Sequence, residues 1–328
     1  MIRILHVDGE GPARVDVAVE ELPKLLHEPR GFLWVDLVGE PPESARAILG
    51  EVCGFHPLAV DDALDESHFP KVDDWDSYVY LAVHAPVPVV DADGSTPTLE
   101  LDVFLGQAYL VTYQQHRIDA VDAFWRSLLR ESRICRRGAA HVLYSLVDSM
   151  IIDMMRTIDI LDDQIEELED QVMAHPTAEH VERITALRRQ LLGLRRILAP
   201  EREVINRLAR GDFAVVPTET RIYYRDAYDH LVRLYDTVES MRDMVGGALE
   251  IYLSVVNNRM NDVMKTLTVI TTLFMPLSFL AGFFGMNYFQ PSVGLAAWTS
   301  QASLIVTLLV MVLSPVAMVL WMRRRDWM

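Results

Sequence analysis

The stretch TLTVITTLFMPLSFLAGFFGMNYFQPSVGLAAWTSQASLIVTLLVMVLSPVAMVLWM, residues 266–322, contains no Lys, Arg, Asp or Glu. Two apolar runs within it, 267–284 and 303–322, are each close to the ~20 residues that cross the ~30 Å hydrocarbon core of a bilayer as a helix. The segment between them carries Gly, Pro and polar residues, which favour a turn outside the membrane. The sequence therefore predicts a hairpin of two transmembrane helices whose ends lie on the same side.

The charges that flank this hairpin predict its orientation. Arg323, Arg324 and Arg325 directly follow the second run and Lys265 precedes the first, whereas the connecting segment carries no charge. Because the cytoplasmic flanks of membrane helices are enriched in Lys and Arg, both termini are predicted to be cytoplasmic. We expect a multi-pass membrane protein in contact with the lipid bilayer.

The remaining chain is strongly acidic. Residues 1–265 contain 27 Lys and Arg against 46 Asp and Glu, so a nucleic-acid partner is not expected, because phosphate binding needs a basic surface. An acidic surface attracts cations, although it also serves ordinary solubility. Cys53 and Cys135 lie far apart and in no metal-ligand spacing, which indicates free thiols of a reducing compartment.

Residues 1–136 alternate short strand and helix signals. Segments rich in Val, Leu, Tyr and Phe predict the strands RILHV, FLWVDLV, YVYLAVHAPV, TLELDVFLG and AYLVTY. Helical spacing is present in ESARAILGEV, HPLAVDDAL and AVDAFWRSLLRES. This pattern predicts an N-terminal α/β domain whose strand order the sequence leaves undetermined.

Residues 137–265 have the apolar spacing of long helices and are predicted to form a stalk between the α/β domain and the membrane hairpin, 266–328. The last of these helices is predicted to begin near Thr218, and it meets no proline before Pro276 inside the first apolar run. If the helix continues to Met286, it is roughly 100 Å long at 1.5 Å per residue. Such a helix would connect the acidic region mechanically to the membrane.

One side of the first transmembrane helix carries small, polar or Met side chains at steps of three and four residues. These positions are Asn261, Met264, Thr268, Thr271, Met275, Ser278, Gly282 and Gly285. A sustained seven-residue period indicates several copies packed around one axis, which would make this stripe the lining of a pore. Small residues also allow membrane helices to approach closely, so a helix-packing face remains the alternative.

The tripeptide Gly285-Met286-Asn287 ends the first transmembrane helix, and with its surroundings it resembles the signature of the CorA family of magnesium and cobalt transporters. The resemblance extends along NDVMKTLTVITTLFMPLSFLAGFFGMN (261–287), YYRDAYDHLVRLYDTVESMRD (223–243) and GFHPLAVDDALDESHFPKVDDWDSYVYL (54–81), and includes the terminal RRRDW. It covers essentially the whole chain and implies a protein of a bacterial or archaeal inner (plasma) membrane.

This resemblance implies an α+β membrane protein that assembles as a homopentameric funnel, with the long helix of each subunit lining the pore. The implied pore-lining residues are Asn261, Met264, Leu267, Thr268, Thr271, Met275, Ser278 and Gly282. Among them Met264, Leu267 and Met275 would form apolar constrictions, which can gate by dewetting. Gly285, Met286 and Asn287 would form the selectivity filter, in which a ring of Asn287 side chains binds the hydrated ion. The alternative role of Asn287 is a helix C-cap.

The resemblance also implies regulation by Mg²⁺ bound between adjacent subunits, which holds the pore closed. Asp62 and Asp226 match the family's main regulatory site, and Asp61 and Asp148 match a secondary one. The alternative is that each of these carboxylates is an ordinary solvent-exposed side chain on a helix. The segment after the tripeptide, YFQPSVGLAAW, lacks the acidic residue that many family members carry there. Because that residue attracts cations to the pore mouth, the resemblance leaves the rate of cation capture and the metal preference open.

Two other classes of function compete with a magnesium and cobalt channel. A zinc transporter of the ZntB type shares the fold and the tripeptide. His175 and His180 are not spaced as a tight zinc site. Transport of Zn²⁺, Co²⁺ or Ni²⁺ as hydrated ions needs no such ligands, however, so this alternative stays open. A membrane-anchored coiled-coil scaffold would have no use for the polar stripe. An enzyme is not expected, since the sequence shows no nucleophile with a base, phosphate-binding loop or His-rich cluster.

Overall fold

The computed structural model describes residues 1–8, 11, 13–15, 17–27, 31–65, 69–87, 98–285 and 301–325. The chain divides into two compact units, Met1–Glu250 and Ile251–Met328. The three-region division expected from the sequence, at 136/137 and 265/266, stays a prediction.

A six-stranded mixed sheet forms the centre of the first unit. Its strands are β1 (Ile2–Val7), β2 (Phe32–Val38), β3 (Lys71–Asp74), β4 (Val79–Pro86), β5 (Thr98–Leu105) and β6 (Tyr109–Gln114), in the order β1-β2-β6-β5-β4-β3. The pairing of β2 with β6 is parallel and the other four pairings are antiparallel. All strands except β3 coincide with predicted segments. The sequence of β3, KVDD, is too short and too charged to be recognised, because an edge strand has one side in water.

The short α-helices of this unit cover both faces of the sheet. They are α1 (Leu22–His27), α2 (Pro42–Arg46) with a π-helical continuation at Ala47–Val52, α3 (Pro57–Leu64), and α4 (Asp119–Arg130) with a 3₁₀ turn at Ser132–Arg137. Alternate residues of β2 point to opposite sides. Val35 joins a core with Leu49 and Val60, whereas Trp34 contacts Trp125 of α4, with 4.9 Å between ring centroids. The expected α/β architecture is therefore present.

Three long helices follow: α5 (Ala139–Ala174), α6 (Ala178–Arg210) and α7 (Thr218–Gly285). The break at 175–176 precedes a capping box, in which the backbone N–H of Thr177 donates to Nδ1 of His180 at 3.2 Å. Gly211 ends α6 with φ +79°, a conformation that glycine adopts without steric cost. The helix α7 runs for 68 residues without interruption, which confirms the predicted continuity as far as Gly285.

The second unit contains the end of α7 and α8 (Gln301–Arg324). Each of these helices includes a segment long and apolar enough to cross a membrane, and α8 covers the whole of the second predicted run. Both helices are half-buried along one narrow face. Among the described side chains of the two apolar runs, the half-buried residues are Val269, Thr272, Leu273, Pro276, Leu277 and Leu280 on α7, and Thr307, Met311, Ser314, Pro315, Met318 and Val319 on α8, where Met322 is buried. Their spacing of three and four residues shows that the chain itself covers only this face.

Candidate functional site

The predicted regulatory residues of α5 and α7 lie beside an aromatic contact between these helices. Tyr144 of α5 contacts Tyr223 of α7, with ring centroids 5.2 Å apart, and His141 contacts the edge of the same Tyr223 ring at 4.8 Å. The buried hydroxyl of Tyr224 donates to the backbone carbonyl of Ala140 at 2.7 Å. These contacts fix the register of α7 against α5.

Asp148 and Asp226 come together one turn along from these aromatic residues. Asp148 is one turn beyond Tyr144 on α5 and is half-buried, and Asp226 is exposed on α7. Burial raises the pKa of the Asp148 carboxyl, the imidazole of His230 opposes this, and the carboxylate of Asp226 raises the pKa further. Two carboxylates close enough to perturb each other form a site that favours a bound cation.

His230 belongs to this group, and the sequence reasoning missed it. Its charge acts on Asp148, and it lies one helical turn after Asp226 in the segment DAYDH. The spacing of four residues on α7 was the signal that could have identified it, because such residues share one helix face.

Asp61 and Asp62 lie on α3 and interact with other groups. The helix begins at Pro57, and the N–H of Leu58 donates to Nδ1 of His56. Arg46 forms an ion pair with Asp61, and Nζ of Lys71 lies 2.8 Å from Oδ2 of Asp62. The structure thus places the four predicted aspartates in two pairs, one on α3 and one between α5 and α7.

The donor chemistry of both pairs suits a hard divalent cation, since Mg²⁺ binds carboxylate oxygen and water and is seldom enclosed by protein ligands alone. Across the described ranges, however, no group of three or more His, Cys, Asp or Glu side chains within the chain is arranged to hold a metal ion. The pairs therefore fit Mg²⁺ as partial sites that retain water or that a second chain completes.

A further group of titratable side chains is buried in the sheet next to α3. The hydroxyl of Tyr80 donates to Oδ1 of Asp102 at 2.6 Å, and Nε2 of His84 lies 3.5 Å from the Glu100 carboxylate. Burial raises the pKa of Asp102, and the charge of Glu100 raises it further. Asp102 and Glu100 also line a pocket that reaches Ala63, the residue after Asp62. The sequence analysis did not identify these residues, because they come together only through strand pairing.

The polar stripe of α7 lies away from the face that the chain covers. The side chains of Met264, Leu267 and Met275 are 54%, 62% and 70% exposed. The remaining predicted pore-lining residues are exposed as well: Asn261, Thr268, Thr271, Ser278 and Gly282. The hydroxyl of Thr268 donates to the backbone carbonyl of Met264 at 2.8 Å, so its donor is satisfied within the helix. The geometry leaves the whole stripe available, either to a pore or to a neighbouring helix.

The predicted filter lies at the end of this helix. Gly285 is the last residue of α7, and a Cβ built there meets no described atom within 4 Å. Met286 and Asn287 lie outside the described residues. The filter geometry therefore remains a prediction.

Comparison with known proteins supports the resemblance found in the sequence. Residues 29–324 match the family described as CorA-like Mg²⁺ transporter protein. The cobalt/magnesium transport protein CorA of Thermotoga maritima is 35% identical over 301 residues, which cover 90% of this chain and 83% of that protein. The zinc transport protein ZntB of Yersinia pseudotuberculosis is 23% identical and covers 69% of this chain and 67% of its own length.

The fold has a counterpart among solved structures. The CorA magnesium transporter from Methanocaldococcus jannaschii superposes with a TM-score of 0.84, covering 100% of this chain and 99% of that chain at 23% identity. This similarity confirms the predicted fold class, with a mixed sheet, long helices and two C-terminal apolar helices. The family match also confirms a membrane transport protein rather than an enzyme.

Proposed function

The chain belongs to the family of CorA-like Mg²⁺ transporter proteins, and we propose that it is a channel that carries Mg²⁺ and Co²⁺ across the inner membrane. The observation that supports this most directly is the single helix α7. It carries Asp226 in the first unit and continues, in the second, through the exposed stripe to Gly285. A continuous helix joins a carboxylate proposed to bind cations to the residues proposed to line the ion path.

The pore requires several copies of the chain, since two transmembrane helices cannot enclose a path for water and ions. We propose a homopentamer with both termini in the cytoplasm and with the stripe of α7 facing the axis. A ring of Asn287 side chains at the outer end of α7 would accept hydrogen bonds from the water around Mg²⁺, which the ion releases reluctantly. A divalent cation that moves inward through 100 mV gains about 4.6 kcal/mol, so transport needs no nucleotide.

The aspartates would set the open probability. Asp62 of one subunit and Asp226 of the next would share a bound cation, because two neighbouring carboxylates favour a positive charge between them. Asp61, Asp148 and His230 would add to this site. A divalent ion bridging the carboxylates would hold neighbouring subunits together and keep the pore closed, and its loss at low internal Mg²⁺ would release α7.

Metal preference rests on the comparison of relatives. The chain shares 35% identity with a cobalt/magnesium transport protein and 23% with a zinc transport protein, which favours Mg²⁺ and Co²⁺ over Zn²⁺. Carboxylates and an amide, without Cys, also suit harder cations better than zinc.

Ion flux into liposomes tests this function. Purified protein is reconstituted, and uptake of Mg²⁺, Co²⁺ and Zn²⁺ is followed with and without a pH gradient. Asn287→Ala is expected to abolish selective Mg²⁺ uptake, while Gln290→Ala in the same segment retains it. Selective uptake that survives Asn287→Ala contradicts the filter assignment.

Regulation is tested in the same vesicles with Mg²⁺ on the cytoplasmic side. Asp226→Ala is expected to relieve inhibition by that Mg²⁺, because it removes one of the bridged carboxylates. Asp229→Ala is the matched control, since Asp229 is also an exposed aspartate of α7. If cytoplasmic Mg²⁺ inhibits the Asp226→Ala variant as strongly as the unmodified protein, Asp226 is not a regulatory ligand.

A further inference from the structure

Asp62, the proposed regulatory ligand on α3, already has a positively charged partner within its own chain. Nζ of Lys71 lies 2.8 Å from Oδ2 of Asp62, and the two side chains are 30% and 44% exposed. Lys71 is the first residue of the edge strand β3, so its ammonium group reaches α3 from the sheet. Water and dissolved ions have access to the pair.

An aromatic ring of the sheet holds the ammonium group of Lys71 at this position. It lies 5.3 Å from the centroid of the Tyr80 ring, within the range of a cation–π interaction. The hydroxyl of that ring donates to the buried Asp102, and the charge of Lys71 lowers the pKa of Asp102 against the larger effect of burial. The lysine is thus positioned by an aromatic ring as well as by Asp62.

We propose that Lys71 is a tethered cation that neutralises Asp62 when no divalent ion is bound, so that Mg²⁺ must displace it to reach the regulatory site. This inference rests on the proposed function, in which Asp62 is a regulatory ligand. A monovalent ammonium group and a divalent ion beside the same carboxylate repel each other, so the two exclude each other. Lys71 therefore raises the Mg²⁺ concentration at which the site fills.

The exposure of the pair makes such a competition effective. An ion pair between solvent-exposed side chains contributes little to folding, so a divalent ion can displace the lysine without disturbing the fold. Arg46 and Asp61 form a second exposed ion pair on the same helix, at 54% and 46% exposure. Both carboxylates of α3 thus have a basic partner, whereas Asp226 has its own carboxylate neighbour, Asp148.

The test is a Mg²⁺ titration of the thermal unfolding midpoint of the full-length protein in detergent micelles, at constant ionic strength. Lys71→Met is expected to lower the Mg²⁺ concentration for half-maximal stabilisation by about fivefold, the upper end of what an exposed ion pair contributes. Lys71→Arg keeps the charge and should stay within about twofold of the unmodified protein. Lys24→Met, at an exposed lysine of α1, is the matched control and should leave the titration unchanged.

Asp62→Asn separates this inference from the function on which it rests. If Asp62→Asn leaves the Mg²⁺ response of the protein as it was, Asp62 is not a regulatory ligand, and both its proposed regulatory role and the competition with Lys71 are wrong. If Asp62→Asn removes that response while the Lys71→Met titration coincides with that of the unmodified protein, the regulatory site stands and the competition is refuted. A Lys71→Met variant that needs more Mg²⁺ also refutes it, because Lys71 would then support ion binding.

Discussion

Glu201 is a buried carboxyl whose protonation state should control the pH dependence of stability. It lies on α6 with 2% of its surface exposed, and among the described residues its Oε2 atom has no hydrogen-bond partner. Burial raises its pKa from the ordinary 4.5 to about 8, although a hydrogen bond from the backbone of His84 opposes the shift. Glu201→Gln replaces the acid with a neutral side chain of nearly the same shape.

The sign of the effect follows from proton binding. Between pH 4.5 and 8 the folded protein keeps the proton on Glu201, whereas the unfolded chain releases it. The unfolded state then binds fewer protons, so the free energy of unfolding decreases as the pH rises, by about 1.4 kcal/mol per pH unit. From pH 5 to pH 8 this decrease amounts to roughly 4 kcal/mol. The Glu201→Gln variant should not show this decrease, because its side chain does not titrate.

The assay is urea denaturation of the full-length protein in detergent, followed by tryptophan fluorescence at pH 5, 6, 7 and 8. The free energy of unfolding of Glu201→Gln minus that of the unmodified protein should increase steadily across this range. Glu203→Gln, at an exposed acid of the same helix, should give a nearly constant difference. A constant difference for Glu201→Gln as well would show that Glu201 is ionised in the folded protein and would refute the reasoning.

Three further predictions concern the helices. Tyr224→Phe removes the buried hydrogen bond to the Ala140 carbonyl and should lower the free energy of unfolding by about 1–2 kcal/mol in the same assay; no change would mean that water replaces the hydroxyl. Gly247→Ala should stabilise α7 by roughly 0.5–1 kcal/mol, since a Cβ there meets no described atom within 4 Å; a loss of stability would reveal a hidden contact. Met275→Ser should raise Mg²⁺ leak into liposomes several-fold by wetting an apolar constriction; an unchanged leak would place Met275 outside the pore.

The long helices and the two C-terminal apolar helices could be predicted because their signals are local. Apolar spacing, the break at 175–176 and the absence of proline from Thr218 to Pro276 are properties of neighbouring residues, and the structure follows them. The strand order and β3 could not be predicted in this way. Both depend on pairing between distant segments, and β3 pairs with β4 through only four residues.

The candidate sites likewise contain some residues that the sequence could identify and others that it could not. Asp148 and Asp226 were assigned through the family resemblance, Asp226 to the main site and Asp148 to the secondary one, and the structure brings them together across α5 and α7. Lys71 and Arg46 went unnoticed, because nothing in the sequence near Asp61 and Asp62 indicates which basic side chains return to α3. Glu201 was missed for the same reason, since an acid in a helix with many charged residues is recognised as buried only when the sheet that covers it is known.

The paired glycines of α7 make it possible to distinguish two ways in which that helix could act. Gly246 and Gly247 lie inside the helix, where each costs about 1 kcal/mol relative to alanine, and no described atom approaches closely enough to require a glycine. If removal of Mg²⁺ opens the pore by bending α7, Gly247→Ala should make opening harder and lower the flux at low internal Mg²⁺. If α7 tilts as a rigid rod, the same substitution should raise stability and leave the flux unchanged. Measuring both quantities on one variant therefore separates bending from tilting, because the stability gain shows that the alanine was accommodated.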